Sequence, residues 1–170
     1  GSSPHNTDLQ IIKDRRKYLI DESHNFRTVI VKSLNYHNSN MKRFLSMIQF
    51  CLNIISASRD IEKPDIILGS SSHMFNCVVS LILARKLKTK CICEIRDLWP
   101  ESLIAYNILK RKSIVTALMY RLENWIYSKA NSIIFTLEGG TEYVKDKKWD
   151  LNNGGSVDLN KIHYINNGID

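Results

Sequence analysis

The sequence predicts an α/β fold: a Rossmann-like parallel sheet with helices on both faces. Three observations lead there. Short β-branched runs alternate with longer stretches of helical periodicity. One of the runs, Asp65-Ile-Ile-Leu-Gly69, is continuously apolar, as in strands covered on both faces. Small or polar residues, Ser70-Ser71-Ser72-His73 and Arg96-Asp97, follow the runs directly and lead toward helices.

The elements follow in order. The first 25 residues are polar, with a short helix possible over Leu9 to Leu19. Arg27-Thr-Val-Ile-Val-Lys32 reads as a strand. From Met41 to Ser58, apolar residues at 41, 44, 45, 48, 51, 52 and 55 give helical spacing, with an N-cap available among Asn38, Ser39 and Asn40. Asp65 to Gly69 is the next strand, and a helix runs from about Met74 to Leu87. Lys90 to Arg96 is a strand, and a turn is expected around Trp99-Pro100. The long helix from Ser113 to Lys129 carries apolar residues at 114, 115, 118, 119, 122, 125 and 126, its expected inner face. Ala130 to Thr136 is a strand, Glu138 to Lys148 a short helix, Asp150 to Asp158 an Asn- and Gly-rich loop, and Lys161 to Ile165 the last strand. Residues 1–25 are expected to form a polar segment and 26–170 a single domain.

Bulk composition narrows the function classes. A hydrophobic fraction of 44% and a charged fraction of 24% describe a folded chain able to bury a core. The richest apolar run, Val78 to Ala84, is far too short to span a bilayer, and the first residues lack the apolar region of a secretory signal. A cytoplasmic protein is expected, peripheral at most to the inner face of the cell membrane. The net charge of +7 sits in short clusters, such as Lys110-Arg111-Lys112, without interleaved aromatics. No nucleic-acid partner is therefore predicted, whereas solvated helix ends or attraction to phosphate groups and anionic headgroups both fit. Cys51, Cys77, Cys91 and Cys93 form no C-x-x-C pair and read as reduced thiols. Cys91 and Cys93 share one face of a strand, but nothing nearby completes a metal site. No metal and no cofactor is expected.

Ligands of open α/β sheets bind beyond the carboxyl ends of the strands. The loop Gly69 to His73 lets a ligand approach the backbone near a helix start, with Ser72 as a helix N-cap the bland alternative. The loop from Glu94 to Ser102 crowds Arg96, Asp97, Trp99 and Glu101 into one stretch. Those charges are either used in a site, or paired locally as Arg96–Glu94 or Arg96–Glu101 with Trp99 filling the core. Asn166-Asn167-Gly168 is a turn signal.

Taken together, KPDIILGSSSHMF (63–75), CEIRDLWPESL (93–103), MYRLENWIYSKANSIIFTLEGGTEYV (119–144) and KIHYINNGID (161–170) resemble, in order and spacing, the family 4 retaining glycosyltransferases, of the kind that builds bacterial surface polysaccharides. RDLWPES and NNGID carry the specificity of the match jointly. It runs from Lys63 to Asp170, and Tyr18 to Ser58 looks like the upstream part of the same domain.

The resemblance implies the N-terminal, acceptor-binding half of a two-domain enzyme of GT-B architecture. That enzyme would transfer a sugar from a nucleotide-sugar donor to a saccharide, in particular a lipid-linked saccharide. The donor half and the family's first strand–loop–helix unit have no counterpart here, so this chain alone is expected to be inactive. By position, Asp97 lies where relatives carry a polar catalytic residue, often His, and a carboxylate there suits orienting or deprotonating an acceptor hydroxyl. Ser71, Ser72, His73, Arg96, Trp99 and Glu101 would contact the acceptor, and Asn167 and Gly168 would face the cleft between the halves. Two other readings stay open: a non-catalytic subunit that recruits a separate donor-binding chain, and a small flavodoxin-like phosphate-binding module. The last needs a phosphate loop after Lys32, which the sequence does not supply.

Overall fold

The computed structural model describes residues 12, 15–22, 26–35 and 40–166. The chain divides into two compact units, residues 1–63 and 64–170. The expected N-cap residues Asn38 and Ser39 lie outside the described residues, as do Asn167 and Gly168.

In the first unit, β1 (Tyr18–Asp21) and β2 (Thr28–Val31) form an antiparallel ladder in which Tyr18 faces Val31 and Asp21 faces Thr28. Tyr18 lies within the span proposed for a helix over Leu9 to Leu19. Its strand pairing, continued by the amide of Lys32 donating to Lys17 O at 2.9 Å, corrects that expectation. The strand predicted over Arg27 to Lys32 is present, though it pairs within this hairpin and not with the parallel sheet. Helix α1 (Asn40–Ala57) follows. Two of its buried polar side chains find backbone partners: Asn53 donates to Lys32 O at 2.8 Å and Ser46 to Leu34 O at 3.0 Å.

The second unit is built on a four-stranded parallel sheet in the order β3 (Ile66–Ser70), β4 (Lys90–Ile95), β5 (Ser132–Phe135), β6 (Ile162–Tyr164). Its crossovers run through α2 (Met74–Leu87), then α3 (Glu101–Ala105) and α4 (Ile114–Lys129), then α5 (Gly140–Asp146). A parallel sheet flanked by helices is the Rossmann-like α/β arrangement read from the sequence. Cys91, Cys93, Ile95, Ile133 and Phe135 alternate onto one face. There they pack with Met74, Cys77, Leu81 and Ala84 of α2, Ile126 and Tyr127 of α4 and Val144 of α5. Cys77, Cys91 and Cys93 are buried free thiols, and Cys51 on α1 is a half-buried one. No helix among the described residues is long and apolar enough to cross a membrane.

Three details depart from the sequence reading. Strand β3 was expected to be covered on both faces, yet Ile66 and Leu68 are 53% and 60% exposed. The strand lies at the sheet edge, and these two residues alternate away from the core side that Ile67 and Gly69 occupy. Helix α3 was not anticipated, because five residues are too few to show a period. The loop over Asp150 to Asp158 contains a turn of 3₁₀ helix at Leu151–Asn153, capped by Asp150 Oδ1 accepting from the amides of Asn152 and Asn153.

The largest correction concerns α4. Ser113, expected as the first helical residue, is instead its N-cap, accepting from Thr116 N at 3.1 Å, and the end is held by Lys161 Nζ donating to Ser128 O and Ala130 O at 2.9 Å each. Of the expected inner residues, Met119, Leu122 and Ile126 do pack on the core, joined there by Thr116, Glu123 and Tyr127, while Ile114, Val115, Leu118 and Trp125 are exposed. The polar residues turn inward because each finds a partner there: Thr116 Oγ1 donates to Lys110 O at 2.8 Å and Tyr127 OH to Glu123 at 2.7 Å.

The start of α5 sets a steric limit. A Cβ on Gly140 would fall 2.3 Å from the ring of Phe135, which is itself buried. Alanine favours a helix interior over glycine by about 1 kcal/mol, but overpacking a tight core costs about 1–3 kcal/mol. Gly140→Ala is therefore expected to lower stability by roughly 1–2 kcal/mol in urea denaturation. A midpoint at or above that of the parent chain would contradict this packing.

Candidate functional site

The loops leaving β3 and β4 are joined at the carboxyl edge of the sheet. The amide of Ser71 donates to Glu94 O at 2.8 Å, and Ser71 Oγ accepts from the amide of Arg96 at 2.9 Å. Ser71 is buried, so its side of both bonds is shielded from competing water. This hydroxyl fixes the β4 loop beside the serine turn and sets where Arg96 and Asp97 leave the sheet.

The predicted residues then separate by environment. Ser72 is exposed and accepts from Asn76 Nδ2 at 2.8 Å. It is not the helix cap: His73 occupies that position in an extended conformation, without a side-chain capping bond. The half-buried His73 ring lies 6.1 Å from that of Phe75. Arg96 and Asp97 are both exposed, so neither carries a burial cost that would demand a local partner. The alternative ion pair of Arg96 with Glu101 is replaced by other partners of Glu101. Trp99 is half-buried and packs against the core, and the Trp99–Pro100 peptide is cis.

Asp97 lines two spaces. One is a small cavity of about 20 Å³ beneath the loops, shared with Ser71, Trp99, Glu123 and Tyr127. The other is an open groove of about 360 Å³ between the β4 loop, α3 and Arg111, with Leu98, Glu101, Ser102 and Leu137 on its walls. A carboxylate on the lip of such a groove, opposite a guanidinium, can hold hydroxyl-rich ligands by accepting on one side and donating on the other.

Glu101 supports the groove wall. Its Oε1 accepts from Lys147 Nζ at 2.6 Å and from Tyr120 OH at 2.6 Å, and its Oε2 from Arg111 Nη2 at 2.9 Å. Partial burial pushes this carboxyl up, but the hydrogen bonds from Lys147, Tyr120 and Arg111 outweigh it and hold the pKa down at about 2. Lys147 Nζ also sits 4.0 Å from the centroid of the Tyr120 ring. One carboxylate thus ties α3 to α4, to the end of α5 and to Arg111.

Beneath the small cavity lies a group that the sequence reading missed. Glu123 is buried on α4, accepting from Tyr127 OH at 2.7 Å and Tyr143 OH at 2.8 Å. Burial, only partly offset by those two hydroxyls, pushes its pKa up to about 8. Trp149 fills the space between the tyrosines, with edge-on contacts to Tyr120, Tyr127 and Tyr143 at 6.4, 6.0 and 5.8 Å between ring centroids. The signal was present as spacing: Glu123 and Tyr127 are one helical turn apart, and Tyr143 and Lys147 likewise.

A carboxyl raised from its ordinary value near 4.5 to about 8 favours the folded state when protonated. That contribution is complete below about pH 4.5 and is lost as pH rises through 8. Stability should fall by at most about 1.4 kcal/mol per pH unit across that window, and Glu123→Gln should flatten this part of the profile. Urea denaturation of both chains from acid to mildly alkaline pH checks it; identical slopes would show that Glu123 is not buried as described.

No family model matches the chain. A curated relative, the probable glycosyltransferase WbjE of Pseudomonas aeruginosa, is 26% identical over 104 residues, which cover 58% of this chain and 26% of the relative. The chain thus spans about a quarter of the length of the relative it matches.

Proposed function

We propose that this chain is the acceptor-binding part of a glycosyltransferase that moves a sugar from a nucleotide-sugar to a saccharide, with a lipid-linked saccharide of surface polysaccharide synthesis as the acceptor. One observation carries the reading. The Ser71 link sets Asp97 on the lip of an open groove, at the strand ends where α/β sheets take their ligands. The similarity to a probable glycosyltransferase points the same way, and the retaining, two-domain part of the reading rests on the resemblance of RDLWPES and NNGID to family 4 glycosyltransferases.

In this reading Asp97 accepts the proton of, or orients, the acceptor hydroxyl that attacks the sugar. Arg111, which lines the same groove, and Arg96, the neighbour of Asp97 in the chain, are suited to a phosphate or to sugar hydroxyls. Ser72 and His73 extend the site along the serine turn, and Trp99 offers a ring edge. Glu101 acts through Arg111, because its own oxygens are committed to the supporting network.

Two measurements test this. Amide shifts of the purified chain should move at Arg96, Asp97 and Ser102 on adding an acceptor oligosaccharide, and stay in place on adding a nucleotide-sugar. Nucleotide-sugar binding in the groove would overturn the acceptor assignment. In an enzyme carrying both halves, Asp97→Asn should lower turnover by roughly 100-fold or more, with the fold unchanged because the residue is exposed. Undiminished turnover would remove Asp97 from the reaction.

A further inference from the structure

Helix α4 is apolar on two sides, and only one of them meets the core. At 3.6 residues per turn, Ile114, Leu118, Arg121 and Trp125 fall within about 60° of arc, opposite Thr116, Glu123 and Tyr127, which are buried. Ile114 is 81% exposed, Leu118 55% and Trp125 39%, and Val115 is also exposed alongside. Tyr106 and Ile108, in the segment leading to the helix, are exposed as well. A chain that places so many large apolar side chains outward over one helix carries an interaction surface.

Charge identifies what the surface meets. From Ser102 to Lys129 the bases are Lys110, Arg111, Lys112, Arg121 and Lys129, and the only acid is Glu123, which is buried. The outward face is therefore apolar residues set among cations with no exposed carboxylate between them. A second copy of the chain docking symmetrically would bring Arg121 and its neighbours against themselves. An anionic headgroup layer satisfies both parts at once: cations meet phosphates while Ile114, Leu118 and Trp125 enter the acyl boundary, where tryptophan is favoured.

We propose that the outward face of α4, with Ile114, Leu118 and Trp125 as anchors and Lys110, Lys112, Arg121 and Lys129 as the basic surround, seats this chain on an anionic lipid surface. The helix lies in the plane of the interface and does not enter the bilayer core, consistent with a length of 16 residues that is only moderately apolar. The proposal deepens the lipid-linked acceptor reading by naming a membrane-facing surface, but it rests on residues outside the groove. Either can therefore fail without the other.

The test is co-sedimentation of the purified chain with vesicles of phosphatidylcholine alone and with equimolar phosphatidylcholine and phosphatidylglycerol. The parent chain should bind the anionic vesicles roughly tenfold or more tightly than the neutral ones, and high salt should weaken that binding. Leu118→Glu combined with Trp125→Glu should reduce binding at least about tenfold, and Arg121→Glu should reduce it by a smaller factor. Unchanged circular dichroism and urea midpoints would show that both variants fold. Absence of vesicle binding by the parent chain, or equal binding by parent and double variant, would overturn the proposal. A concentration-dependent dimer that Leu118→Glu dissociates, without vesicle binding, would assign the face to a second copy and overturn it too.

Discussion

The amide of Arg96 donates to Ser71 Oγ while the amide of Ser71 donates to Glu94 O, and through these two bonds the first two loops at the carboxyl edge of the sheet become one rim. A loop leaving a strand end is otherwise free to choose its direction, because its amides have no ladder to satisfy. Burial makes the link consequential: a buried donor left without its acceptor costs about 1–3 kcal/mol, so the two loops stay together. The position of Asp97 at the groove lip follows from this link more than from any interaction of its own.

The supporting structure on the α4 side answers a different problem. Polar side chains have entered the interior and must be satisfied there. Glu101 meets this with cations and stays ionised, whereas Glu123 meets only hydroxyls and retains its proton to a higher pH. The two carboxyls occupy neighbouring parts of one aromatic network around Trp149, yet their environments drive them in opposite directions. Because Tyr120, Tyr127 and Tyr143 each hold one of these carboxyls by hydrogen bond and the Trp149 ring by an edge, α3, α4 and α5 are fixed as a set. Of that set, α3 lines the groove, and α4 and α5 hold it from behind through Glu101.

Much of the fold was legible because local signals agreed with the tertiary outcome. Met41–Ser58 and Ser113–Lys129 had clear helical spacing, and β4, β5 and β6 had β-branched or apolar runs between turn residues. The exceptions have physical causes. Edge position left Ile66 and Leu68 uncovered, which no pattern within β3 could reveal. The apolar positions on α4 were only partly the inner ones: Met119, Leu122 and Ile126 meet the core, but Thr116, Glu123 and Tyr127 also turn inward, each toward a partner from elsewhere in the chain or one turn away, and leave Ile114, Leu118 and Trp125 outside. The crowding of Arg96, Asp97, Trp99 and Glu101 was visible in the sequence. That Glu101 would be claimed by Lys147, 46 residues away, was not.

Hydrogen exchange at a single amide probes the rim most directly. The account predicts that the Arg96 amide is protected in the parent chain and exchanges rapidly in Ser71→Ala, while the strand amides of Cys93 and Ile95 keep their protection. Rapid exchange at Arg96 in the parent chain, or protection that survives Ser71→Ala, would contradict the claim that this hydroxyl joins the two loops.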